Sequence, residues 1–193
     1  MRSFDPRVVG DLECRTWVTY YRHEWWSFLR AAVSVVRHTF GLSRVRTLYG
    51  AWLVLRANQH WAPVPDNRPQ QARDCMRRFY ALVAHAHNET FDVDEAARLE
   101  VEWWRAHREV QRGPAGATPE SVDELVGALQ ALYAHVYGVE SETVRLAAAE
   151  RAEAMRISDE WVAAGCDVGS PLVEEERAAL VRSYAALLAA VHR

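Results

Sequence analysis

Glu24-Trp25-Trp26 followed by Arg30 recurs as Glu102-Trp103-Trp104 followed by Arg108, and the two copies hold half of the eight tryptophans. Each copy falls in a stretch of helical periodicity. At about 100° per residue the first tryptophan, Trp25 or Trp103, lands near the middle of an apolar arc. The second, Trp26 or Trp104, falls on the far flank, and the glutamate sits at a core boundary. On the first of these helices Glu13, Tyr20 and Glu24 share that boundary at i, i+7 and i+11. On the other, Glu100 and His107 are i and i+7, on the opposite edge beside Trp104.

Carboxylates and an imidazole converging from facing helices are what a bundle needs to hold a metal or to run general acid–base chemistry. Tyr20, Glu24 and His107 are therefore the candidate catalytic groups. Glu13, Glu24, Glu100 and His107 are the candidate ligands of iron or another divalent metal. The Glu-x-x-His signature of di-iron carboxylate bundles is absent, because His23 and Glu24 are adjacent and Glu100 and His107 are two turns apart. Haem-oxygenase-like proteins also have about seven helices, a comparison that rests on helix count alone. The competing reading of these glutamates is ordinary ion pairing with the many arginines.

The segment from Asn58, His60 and Trp61 to Asp66-Asn67 gathers polar and aromatic side chains after an apolar helix, the composition of a pocket rim. Alternatively, Asn58 satisfies carbonyls of the preceding helix and Trp61 plugs the core. Trp26 and Trp104, on the flanks of their helices, would line a ligand cavity or an oligomer contact. Cys166 in Gly165-Cys166-Asp167 has no histidine assignable to it, and a packed turn is the simpler reading.

Charge is uneven. Residues 39–79 carry seven arginines against Asp66 and Asp74, while 89–102 carry six acids against Arg98. The two segments either pair or are solvated faces; otherwise Arg44, Arg46 and Arg56 form an anion site. The net charge of −3 argues against a nucleic-acid binder. All 23 basic residues are arginine, which removes lysine Schiff-base chemistry. Cys14, Cys75 and Cys166 lie far apart without a C-x-x-C pair, consistent with a reducing cytoplasm. Met1 to Pro6 lacks a signal-peptide apolar run, and no stretch approaches the roughly 18 to 20 apolar residues of a membrane span. No membrane partner is expected.

The elements that must position these groups are all helical. Periodicity predicts one helix from Asp11 to Phe40, ended by Gly41. A second follows from Ser43 with Val45, Leu48, Trp52 and Leu55 as its core stripe, and a proline-rich loop occupies Trp61 to Pro69. Further helices run from Pro69 to His87, from Asp92 (with Leu99, Trp103, Ala106 and Val110 inward) to a break at Gly113–Gly116, and from Thr118-Pro119 to Gly138. The last two run from Ser141 to about Ala164 and from Ser170-Pro171 to the end. No β alternation occurs. The expectation is an all-α, single-domain antiparallel bundle of about seven helices over residues 1–193. Its function reads as a small-molecule enzyme with a polar, metal-dependent site in the bundle. The alternatives are a non-catalytic ligand-binding or helper protein with a Trp-lined pocket, and a homodimeric interaction protein.

Overall fold

The computed structural model describes residues 2–112 and 117–192, and every regular element among them is helical. α1 spans Pro6–Tyr21, α2 Trp25–Phe40, α3 Arg44–Trp61, α4 Pro69–His87 and α5 Val93–Arg112. α6 spans Pro119–Tyr137, α7 Arg145–Ala163 and α8 Pro171–Val191. The expected break at Gly113–Gly116 lies outside the described residues.

Local chemistry sets the helix ends. Asp5 Oδ1 accepts from the Arg7 amide at 2.9 Å ahead of Pro6, and Thr118 and Ser121 cap each other reciprocally around Pro119. Ser170 Oγ accepts from the Leu172 amide ahead of Pro171. Each arrangement satisfies amides that have no partner within the helix. Gly41 stops α2 at φ +58°, a conformation that costs glycine little.

Helices adjacent in the chain pack together, and α1 also lies along α8, so the eight form a closed circuit. The main core, with Leu53, Phe79, Val83, Leu99 and Val136, joins α3 to α6, and Tyr184 and Leu187 bring α8 into it. Val110, Leu125, Leu129 and Met155 join α5, α6 and α7, and Cys14, Ile157 and Leu180 seal α1 against α7 and α8. Each such buried side chain contributes about 1.5–3 kcal/mol.

The single helix expected over Asp11–Phe40 is two. α1 ends at Tyr21, His23 turns left-handed at φ +59°, and α2 starts at Trp25, giving eight helices among the described residues where about seven were expected. The corner is held by the Glu24 amide donating to the Thr19 carbonyl (2.9 Å) and by Arg22 Nη1 donating to the Cys166 carbonyl (3.0 Å). Tyr20, Trp25 and Phe28 pack edge-on around it. Periodicity is blind to such a corner, since both arms stay helical. Ser141 begins a 3-10 turn, Ser141–Val144, and α7 follows it.

α3 turns the opposite way from expectation. Val45, Leu48 and Trp52 are exposed and Leu55 is only partly buried, while Thr47, Gly50, Leu53 and Ala57 face the core. Small residues win the inward face because α3 approaches α4 closely: a Cβ on Gly50 would stand 3.3 Å from Phe79 Cε2. The tryptophan order also differs. Trp25 is half exposed rather than central to a core arc, and Trp104 is more buried than Trp103.

The α1–α8 contact is tighter still. A Cβ on Gly10 would lie 2.7 Å from Val181 Cγ2 and 2.9 Å from the Val181 amide nitrogen. Gly10→Ala should therefore lower stability by about 1–3 kcal/mol in urea unfolding. Gly127→Ala, with nothing within 4 Å, should instead gain about 1 kcal/mol.

Candidate functional site

Two of the expected site residues, Glu13 and Glu100, lie inside the bundle near Arg151, a residue absent from the expected site. Arg151 on α7 donates from Nη1 to Glu13 Oε2 at 2.9 Å and from Nη2 to Oε1 at 2.5 Å. Tyr184 on α8 donates its hydroxyl to the same Glu13 Oε2 at 2.6 Å. The guanidinium also lies 5.6 Å from the Trp103 ring centre and 5.8 Å from that of Trp17. Burial works against its charge, yet Glu13 and the nearby tyrosines hold it firmly protonated. Glu100 on α5 accepts from the Tyr80 hydroxyl at 2.6 Å. Burial raises the Glu100 pKa, while the Tyr80 hydrogen bond and the Arg151 charge pull it back.

Glu13 has both oxygens engaged, and the cation it faces is a guanidinium in bidentate geometry. Burial and the neighbouring carboxylates push the Tyr80 and Tyr184 phenols up, so they act as hydrogen-bond donors rather than bases. The chemistry available here is mutual charge neutralisation tying α1 to α7 and α8. Among the described residues no group of three histidine, cysteine or acidic side chains converges as a metal site would require.

The other expected residues lie apart. Glu24 pairs with Arg22 (2.8 Å) at the exposed α1–α2 corner, beside half-exposed Tyr20. His107 Nε2 is 3.2 Å from Asp159 Oδ2, whose other oxygen accepts from Gln111. Asn58 donates to the Val54 carbonyl of its own helix, and His60 sits beside Arg56. Trp61 is covered by the Arg108 guanidinium at 4.1 Å and packs on Trp104, a filled contact rather than an open rim. Trp26 is 84% exposed.

A second buried carboxylate was also passed over. Glu176 on α8 is fully buried, and neither of its oxygens nor Ser158 Oγ has a well-formed hydrogen bond. Burial pushes its carboxyl up to about 7, with Cys14 and Ser158 beside it pulling downward and the Glu13 and Asp159 charges adding to the rise. Burial, then Glu176, raises the Cys14 thiol, which is therefore no nucleophile. Both omissions had a signal. Arg151 is i+4 from Ala147 and i−4 from Met155, and Glu176 is i−3 from Ala179 and i−4 from Leu180; each is a charge at a core position.

On the outer surface, α2 and α3 expose several large apolar side chains. Val45 (78% exposed), Leu48 (62%), Tyr49 and Trp52 (49%) recur at i, i+3, i+4 and i+7, one outward stripe. Tyr49 and Trp52 stack at 5.9 Å and 17°. Trp25, Trp26 and Leu29 are exposed on α2. Arg30, Arg37, Arg44 and Arg46 are exposed on these helices, with no carboxylate partner among the described residues. Residues 25–65 contain five arginines and no acid. No family model, curated protein or solved structure matches the chain.

Breaking the interior pair should be costly. Arg151→Met or Glu13→Gln should each lose about 3–5 kcal/mol in chemical denaturation, and the double variant Glu13→Leu/Arg151→Met should recover most of it. Glu176 predicts a pH slope. Its folded pKa of about 7 lies above the model-peptide 4.5, so the folded state holds the proton more tightly. The stability it contributes is full below about pH 4.5 and is lost as pH rises toward 7. Urea midpoints should fall across that window, and Glu176→Gln should flatten the fall.

Proposed function

We propose that this protein is an interaction module that docks an acidic protein partner on the α2–α3 face, with the helical circuit as a rigid scaffold. The observation that carries the reading is the outward stripe Val45, Leu48, Tyr49 and Trp52, at the spacing by which one helix packs on another. Trp, Tyr and Arg are enriched, and acidic residues and lysine depleted, at the centres of protein interfaces, and this face has that composition. α2 and α3 are about 24 and 27 Å long, enough to seat a partner helix of several turns.

Charge selects among occupants. A second copy related by a two-fold axis would set arginines against arginines, whereas an acidic helix neutralises them. An anionic bilayer would also attract the arginines, but all 26 acids lie outside residues 25–65 against 18 arginines, so the body of the molecule is repelled. No described helix is long and apolar enough to cross a membrane. The unpaired cysteines suit a reducing cytosol. The interior supports a scaffold role over a metal-dependent enzyme, since Arg151 and Tyr184 occupy Glu13.

The test uses a synthetic amphipathic helix with leucine at i, i+3, i+4 and i+7 and glutamate elsewhere, beside its lysine counterpart, read by tryptophan emission. The glutamate peptide should bind, weaken with salt, and weaken about tenfold or more with Leu48→Ser/Trp52→Ser, while the lysine peptide should not bind. Absence of glutamate-peptide binding sinks the proposal. So does tight binding to anionic vesicles in its place, or a dimer in light scattering that the same double variant dissolves.

A further inference from the structure

A groove of about 250 Å³ lies on another side of the molecule, between α5, α6 and α7. Val110, Val122, Val126 and Met155 contribute apolar wall. Five titratable side chains line it, and three of them, His107, Glu153 and Arg156, are already engaged. His107 is held by Asp159, and Arg156 is held by Glu153 at 2.8 Å and Glu160 at 3.1 Å.

That leaves Asp123 on α6 and Arg145 at the start of α7. Both are exposed, both line the groove, and neither side chain has an ion-pair or hydrogen-bond partner among the described residues, each other included. A lone anion in the groove would meet the Asp123 carboxylate, and a lone cation the Arg145 guanidinium. A small molecule carrying both charges satisfies both groups, and its apolar body covers the wall. The volume falls just below the ~300 Å³ at which drug-sized pockets begin, so the occupant is small.

We infer that this groove is a binding site for a small zwitterion with an apolar body, the chemistry of a branched or aromatic amino acid. Arg145 takes its carboxylate and Asp123 its ammonium. The site is independent of the α2–α3 face.

The probes are L-leucine and L-phenylalanine with the full chain, followed by saturation-transfer NMR and calorimetry. N-acetyl-leucine deletes the ligand's positive charge and leucinamide its negative one. Saturable binding of the free amino acids is expected, weakened about tenfold by either deletion, as one exposed charge-assisted contact would give. Arg145→Gln should abolish discrimination between leucine and leucinamide, and Asp123→Asn that between leucine and N-acetyl-leucine. Both changes are on the surface and leave the core intact, which circular dichroism checks. Binding of the acidic peptide to the other face should persist in both variants. Absence of saturable binding by either amino acid overturns the inference. Equal binding of N-acetyl-leucine, or binding unchanged in both variants, does the same.

Discussion

Glu13 holds both terminal nitrogens of Arg151 on α7 and the hydroxyl of Tyr184 on α8, so the first helix is fastened to the last two at a point shielded from water. Desolvating two charges is expensive, and the geometry must return that cost through bidentate contact and a third donor. Chain-local packing alone would leave the first helix attached through its neighbour in sequence. The ion pair, together with the close approach at Gly10, ties it to the far end of the chain. The specificity is plain: an arginine in this core accepts one partner in one orientation, where a leucine would tolerate several.

The two copies of the Glu-Trp-Trp string show how far context overrides local identity. In the second copy Trp104 is buried, Trp103 lies against Arg151, and Arg108 covers Trp61. In the first, Trp25 and Trp26 face outward and Arg30 has no acidic partner among the described residues. α5 is flanked by α4 and α6 along its length, whereas α2 rests on α1 and more lightly on α3. A repeated string therefore serves as packing where neighbours exist and as surface where they do not.

Helix class and most helix ends were readable from sequence because they depend on short-range chemistry: Asp5-Pro6, Thr118-Pro119 and Ser170-Pro171 act on amides within one turn. The corner at His23 was not, since periodicity is unbroken on either side of it. Nor was the orientation of α3, which has two apolar faces, one small and one bulky. Periodicity finds both but cannot say which one meets α4; the space beside Phe79 decides. Of the expected site residues, Glu13 and Glu100 do reach the interior, while Glu24 and Tyr20 are carried to the surface by the corner. Arg151 and Glu176 are legible in the sequence as charges at core positions of α7 and α8.

The acid-free stretch from Trp25 to Pro65 has a further consequence for motion in solution. With five arginines in this stretch and every carboxylate elsewhere, the molecule has its charge segregated by segment. An approaching charged body exerts a torque on it before any contact, turning the arginine-rich end toward negative potential over roughly the Debye length, about 8–10 Å. Orientation is thereby selected during diffusion, leaving the exposed aromatic rings to determine how long an encounter lasts.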